Sequence, residues 1–250
     1  MAGWGGGKPT TQCIGGTRPP PMLRLDRRAG LSAGVSPFSR LIRRKWAPRR
    51  DAGPVIVVSV LMVVVAYLVG TLPSAHVVAG RRGLDPTKEG SGNPGATNVY
   101  RVVGRRAGLI VFAADLGKGA VATAMGLAVD GRPLATACWA AVTLGHVLPI
   151  TRRLRGGKGV ATGGGGAMVL FPLQAVACAA VFFLVARLTR KASLGSLTMA
   201  VVLPILVAWA GAPPVEILAA VGLALLVVVR HRSNIQRMLD GGEGSWSAGG

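Results

Sequence analysis

Charge is scarce in this sequence and nearly all of one sign. Only 15% of its 250 residues are charged, and nine acids stand against 29 Lys and Arg, for a formal charge of +20. Half of the residues are hydrophobic, and the mean hydropathy is +0.49. That balance argues against a soluble domain, while the basic excess by itself points to nucleic acid or an anionic membrane surface. Cysteine is scarcer still. Cys13, Cys138 and Cys178 show no CxxC spacing and have no neighbouring His or Cys to complete a metal site. No disulfide and no zinc centre is expected, and Cys138 and Cys178 read as small hydrophobes inside apolar runs. No other metal and no cofactor is expected either.

Glycine, by contrast, is abundant: 37 of 250 residues, about twice the roughly 7% of average proteins. Small residues among apolar ones let helix backbones approach closely in lipid. Residues 55–80, VIVVSVLMVVVAYLVGTLPSAHVVAG, carry no charge and exceed the ~20 residues that cross a bilayer. Further apolar runs cover 107–127, 133–150, 159–170, 171–187, 193–211 and 213–229. The fold expected is an all-α polytopic membrane protein with about seven transmembrane helices, since lipid offers backbone groups no partners. The run 159–170 is short for a crossing and reads as a tilted, partial or re-entrant element. Residues 54–243 form the membrane domain, 244–250 a flexible tail, and 1–53, rich in Gly, Pro and Arg, a disordered basic extension.

The distribution of cations sets the orientation. With the N-terminus of the first span outside, the segments 81–106, 151–158, 187–192 and 230–237 share one side and hold sixteen Lys and Arg. The opposite segments, 128–132 and 212–214, hold only Arg132. By the positive-inside rule the four basic segments and the C-terminus face the cytoplasm. This asymmetry assigns the charge to a membrane rather than to nucleic acid. The extension conflicts with it, because residues 1–50 carry eleven Lys and Arg on the outer side. The preferred reading is a translation start nearer residue 55.

All the unusual polar sequence falls on the cytoplasmic side: GSGNPGATNVYR at 90–101, GGKGVAT at 156–162, KASLGS at 191–196 and RHRSNI at 230–235. Gly90, Gly92 and Gly95 match a dinucleotide-binding pattern, but a membrane span precedes them and no soluble strand does. GGKGVAT is no P-loop, because Lys158 is followed by Gly159 and Arg152 stands where the first glycine belongs. Both loops read instead as anion cradles. Glycines let backbone N–H groups converge, Ser91, Asn93, Thr97 and Asn98 add short donors, and Arg101 and Lys158 supply cations. Gly156, Gly157 and Gly159 flank that lysine at the start of a helical run. His231 and Asn234, three apart, share a helical face near these loops. Asp115 and Lys118, inside an apolar run, read either as a pair holding the bundle or as chemistry. His146 reads either as a buried structural histidine or as a proton carrier.

In this order the motifs resemble the bacterial PlsY family, membrane glycerol-3-phosphate acyltransferases that use acyl phosphate. The resemblance covers about Tyr67 to Glu243, with YLVGTLPSA, LGKG and GHVLP also in place. It implies transfer of a fatty acyl group to the sn-1 hydroxyl of glycerol 3-phosphate, giving lysophosphatidic acid and phosphate. This would be the first step of phospholipid synthesis, at the cytoplasmic face of a bacterial plasma membrane. It also implies functional coupling to the enzyme that makes acyl phosphate. The HxxxxD motif of other glycerol-phosphate acyltransferases is absent here, as none of His76, His146 and His231 has Asp five residues later. By the same resemblance Ser91, Thr97, Arg101, Lys158, His231 and Asn234 are catalytic. Gly157 and Ser193 belong to the site, with Ser193 preferred over Ser196. Gly90, Gly92, Asn93, Gly95, Gly156 and Gly159 complete the phosphate-binding set. Backbone N–H groups near Gly157 are expected to stabilise the acyl carbonyl oxygen. The competing reading, a transporter for an anionic solute, predicts polar sites at mid-membrane, whereas these gather at one face apart from Asp115 and Lys118.

Overall fold

A computed structural model describes residues 1, 3–7 and 52–245, with side chains from Val55 onward in the long stretch. The chain divides into two units, 1–50 and 51–250. Of the first, only residues 1 and 3–7 are described, and they have no regular secondary structure. Nearly all of the expected disordered extension thus lies outside the described residues, as do 246–250 of the expected flexible tail.

The described residues of the second unit form helices and no strands. The first apolar run builds α1 (Ala52–Gly70) and, past a turn at Pro73, α2 (Ser74–Gly80). The first glycine motif leads into the short α3 (Ala96–Val102). Next comes α4, Arg105–Val147, which is 43 residues long but broken at Asp130 (φ −143°) and Gly131 (φ 71°), with Pro133 just beyond. The break reverses the chain. A side chain on Gly126 would meet Ala135 and Cys138 at 2.9 Å, whereas in a continuous helix residues 126 and 138 would lie about 18 Å apart. The arms 105–129 and 132–147 therefore pack as a hairpin, matching the runs expected at 107–127 and 133–150.

A 3-10 turn (Ile150–Arg152) leads to α5 (Val160–Leu170), followed by α6 (Pro172–Thr189), α7 (Ala192–Trp209), α8 (Pro214–Arg230) and α9 (Arg232–Leu239). Prolines at the first positions of α6 and α8 start those helices where a free N–H is not needed. The α8–α9 junction bends by 53° at His231. Among the described residues, four helical segments can cross a membrane by length and hydropathy, or five if α8 and α9 count as one. The hairpin in α4 is a single segment in that count. Helix α5, at 11 residues, is only about 16 Å long. It lies buried against both arms of the hairpin, with Gly165 seated on Leu116 and Gly166 on Trp139.

Packing follows from the small residues. One core joins Trp139, Phe171, Ala167, Val207, Ala220 and Leu223; another joins Ala66, Ala122, Leu134, Cys138 and Val142. Cys138 and Cys178 are both buried and free, inside apolar surroundings. The outer surface is apolar, with Ile56, Val60, Leu68, Leu173, Phe183 and Leu225 exposed. Such a surface belongs in lipid rather than water. At the end of the bundle away from the glycine motifs, Arg132 makes a bidentate pair with Glu216, 2.8 and 2.7 Å. The same guanidinium donates to Leu170 O at 3.2 Å and lies 5.3 Å from the Phe171 ring centre. One cation thus ties the hairpin turn, the α5–α6 junction and the start of α8.

Candidate active site

The four polar motifs meet at one end of the bundle. The first loop is shaped from inside by Asn98, which is 2% exposed. Its amide nitrogen donates to Pro86 O and Glu89 O, both at 2.9 Å, and its oxygen accepts from the Ser91 N–H and hydroxyl at 2.8 and 3.1 Å. Every bond an asparagine side chain can make is satisfied. Asn98 is therefore not a ligand donor; it is the internal frame of its own loop. Gly90 (φ 59°) leaves the room that Asn98 and Val102 occupy. Helix α3 then sets Thr97 and Arg101 four apart on one face. Arg101 donates to Gly244 O at 3.2 Å, and its Nε is buried with no partner among the described residues.

Backbone frames the second loop. Gly156 N–H donates to Val147 O (3.2 Å) and Gly157 N–H to His146 O (3.1 Å), pairing the loop with the end of α4. From the other side Arg230 donates to Gly156 O at 2.8 Å and Gly157 O at 3.3 Å. The expectation that backbone near Gly157 receives the carbonyl oxygen needs correction, because the N–H groups of Gly156 and Gly157 are engaged. The first N–H groups of α5, which starts three residues later at Val160, have no intrahelical acceptor and are the donors left for it. Gly159, at φ 85°, turns the chain into that helix.

The third and fourth motifs close the site. Lys158 Nζ donates to Asn234 Oδ1, and Asn234 Nδ2 donates to Glu243 Oε1 at 2.6 Å. Ser193 donates to the same oxygen at 2.8 Å, and Arg237 to Glu243 Oε2 at 2.8 Å. Ser196 donates instead to Ala192 O, within its own helix. Glu243 thus gathers α7 and α9 around the lysine, a role that nothing in its sequence surroundings signals. The His231 Nδ1 lies 2.8 Å from Val227 O. A carbonyl only accepts, so Nδ1 carries a proton, and in the neutral ring Nε2 presents a lone pair. Burial pushes the Lys158 amine down to about 8, opposed by Glu243 and reinforced by Arg237, Arg101 and Arg230. Burial would raise the Glu243 carboxyl, but the hydrogen bonds from Asn234, Ser193 and Arg237 bring it below its ordinary value.

Three adjoining spaces result. A polar cavity of about 120 Å³ is lined by Ser91, Asn93, Gly95, Thr97, Arg101, Lys158, Gly159, Ser193, His231 and Asn234, together with Asp115, His146 and Glu243. Through Ser91, Asn93 and Lys158 it adjoins an open cleft of about 710 Å³, which Gly92 and Gly156 line with Arg152, Arg155, Arg230, Arg232 and Arg237. Among the described residues no acid lines the cleft. Through Phe112, Gly159, Val160 and Phe182 the polar cavity adjoins an apolar one of about 140 Å³ that runs along α5 to Trp139, Leu203 and Leu223. Of the residues expected from the sequence, only Gly90 and Gly157 line neither polar space; both make room for neighbouring side chains.

Known proteins resemble this chain in sequence and fold. Residues 60–241 match the family model described as glycerol-3-phosphate acyltransferase. The glycerol-3-phosphate acyltransferase of Syntrophotalea carbinolica is 39% identical over 191 residues, covering 75% of this chain and 97% of its own. That of Bacillus subtilis is 38% identical over 183 residues, covering 72% and 93%. Crystal structures of PlsY (YgiH), an integral membrane glycerol 3-phosphate acyltransferase, superpose with TM-scores of 0.73 for its glycerol 3-phosphate form and 0.71 for its lysophosphatidic acid form. Each is 33% identical and covers 75% of this chain and 94% of its own. With most of its length matched by the family model and by relatives this similar, the chain belongs to the glycerol-3-phosphate acyltransferase family, as an integral membrane acyltransferase.

Proposed function

We propose that this enzyme transfers a fatty acyl group from acyl phosphate to the sn-1 hydroxyl of glycerol 3-phosphate, releasing lysophosphatidic acid and phosphate. The observation that carries the reading is the adjacency of the three spaces, which share lining residues. A polar cavity holding Arg101 and Lys158 shares lining residues on one side with a cationic cleft and on the other with an apolar cavity among the helices. That sequence of environments fits a small phosphorylated alcohol entering from water and a phosphorylated acyl chain lying in the bundle. PlsY, known in glycerol 3-phosphate and lysophosphatidic acid forms, supports the alcohol substrate and the acylated product of this reading.

Acyl phosphate is already activated, so the protein's task is positioning and charge stabilisation. Lys158 and Arg101 hold the two phosphate groups, with Ser91, Asn93, Thr97 and Ser193 fixing their orientation. The glycerol hydroxyl oxygen attacks the acyl carbonyl, and the N-terminal N–H groups of α5 receive the developing oxyanion. The bond from carbonyl carbon to phosphate oxygen then breaks, and the released phosphate takes up the hydroxyl proton. The lone pair on His231 Nε2 orients that hydroxyl, and Asn234 fixes Lys158.

The same reading places seven crossings in the membrane, with the two arms of α4 counted separately and α5 as a short buried element. The N-terminus of the first span lies outside, and the site faces the cytoplasm of a bacterial plasma membrane. The density of cations at the site end supports that orientation. Because acyl phosphate hydrolyses readily, the enzyme works beside the one that makes it. The test is turnover of labelled glycerol 3-phosphate by purified protein with palmitoyl phosphate, against palmitoyl-CoA. Lysophosphatidic acid is expected from the phosphate donor alone; product from the thioester alone, or none, overturns the proposal.

A further inference from the structure

Asp115 and Lys118, the charged pair inside the apolar 105–129 arm, have a partner that the proposed reaction does not use. Lys118 Nζ lies 2.9 Å from Asp115 Oδ1, 3.1 Å from Leu72 O and 2.9 Å from His146 Nδ1. The Ser74 hydroxyl donates to Asp115 Oδ1 as well. A lysine ammonium has three donors and no lone pair, and here three acceptors surround it. Asp115 Oδ1, the other group facing that ring nitrogen, is 3.6 Å away, beyond hydrogen-bond reach, so the nitrogen accepts from Lys118 and a neutral His146 carries its proton on Nε2. That edge of the ring is not turned away from the site. A side chain on Gly157 would fall on His146 Nε2, Cε1 and Cδ2, and His146 lines the polar cavity with Lys158 and Asn93. His231 has the opposite arrangement, with Nδ1 donating to Val227 O and Nε2 left as a lone pair.

We infer that the two histidines of the cavity are locked in opposite tautomers, and that His146 donates its Nε2–H to a phosphate oxygen of a bound substrate. Lys118 and Asp115 act through it, as positioning residues that fix the tautomer. Gly157 lacks a side chain because the donor edge of the ring occupies that place. The inference rests on the acyl-transfer reading for its ligand, though not for its tautomer.

Two measurements separate those parts. In the full-length wild type, NMR of isotope-labelled histidine, with His146→Gln identifying the signal, reports which ring nitrogen is protonated without any turnover. The expected result at neutral pH is a proton on Nε2 and none on Nδ1; an Nδ1–H tautomer or an imidazolium overturns the inference. Kinetics test the ligand. His146→Gln, which keeps an amide donor near the Nε2 position, is expected to hold KM for both substrates within about threefold, while His146→Ala and His146→Asn raise one of them about tenfold or more. Varying glycerol 3-phosphate and palmitoyl phosphate in turn shows which phosphate is held, and an unchanged KM for both in a folded His146→Ala overturns the assignment. Lys118→Met releases the tautomer and is expected to raise the same KM, and adding His146→Gln restores it. A folded double variant without that rescue also overturns the inference. Should wild type fail to use acyl phosphate, the acyl-transfer reading falls while the NMR result still decides the tautomer.

Discussion

The two glycine loops look alike as sequence and are built in opposite ways. GSGNPGATN is organised by one side chain: Asn98 reaches back and fills its own loop with four hydrogen bonds. GGKG is organised by its backbone, paired with the end of α4 and gripped at two carbonyls by Arg230. The first loop thereby presents Asn93 and Thr97, with Ser91 held at the cavity wall by its bond to Asn98. The second presents one lysine and the N-terminus of a helix. A ligand with a phosphate at each loop would meet hydroxyl and amide donors at one, and an ammonium with backbone N–H groups at the other.

That contrast can be broken most severely at Lys158, the only side chain the second loop offers. Lys158→Ala is expected to remove about 3–4 kcal/mol of transition-state stabilisation, several hundredfold in kcat/KM, with KM and kcat both affected. Near-normal turnover would remove the lysine from the account. Next comes pH. The ammonium is the phosphate-binding form and burial brings it down to about 8. The kcat/KM should therefore fall as pH rises through about 8, approaching tenfold per unit above it. Lys158→Arg keeps its charge there and should lose that falling limb; an unaltered profile would assign the titration to another group.

The first loop should break through its frame rather than its charge. Asn98→Leu leaves Pro86 O, Glu89 O and the Ser91 N–H without partners, a cost of about 1–3 kcal/mol. A lower melting temperature and about a tenfold rise in KM for a phosphate substrate are expected, since the displaced donors bind rather than react. Unchanged kinetics in the folded variant would show that the loop does not hold a substrate. The smallest effect is expected at Arg230, which supports the second loop from outside. Arg230→Met loses two bonds to carbonyls that water can partly replace, a loss of about 1 kcal/mol and several-fold in kcat/KM. Equal losses in Asn98→Leu and Arg230→Met would erase the distinction between the loops.

Much of the fold is legible because it follows from local chemistry. The break at Asp130–Gly131 sits where the hydropathy falls between two apolar runs, and the proline starts of α6 and α8 sit at run boundaries. The short run 159–170 is a short helix for the same reason. The site motifs are legible as types and spacings. Their inner connections are not, because those depend on residues far apart in the chain. Asn98 reads as one more donor until the loop is seen folded around it. The Gly157 N–H reads as free until the end of α4 lies beside it. Glu243 lies nine residues beyond Asn234 and fifty beyond Ser193, and only the fold brings it to both. Arg132 reads as the lone cation of its side, while its partner Glu216 stands 84 residues away.

The central claim is that one cavity joins the phosphate loops to an apolar space along α5. Gly164 lines the apolar space, with 3.9 Å between an added Cβ and Leu116, and it lies about 7.5 Å along the helix from Gly159. Gly164→Leu therefore obstructs a long acyl chain but not a short one. The deciding measurement is kcat/KM of this variant, relative to wild type, with palmitoyl phosphate and with butyryl phosphate at saturating glycerol 3-phosphate. A loss of about tenfold or more confined to the long donor is the result expected. An equal loss on both donors, or none on either, would contradict the account.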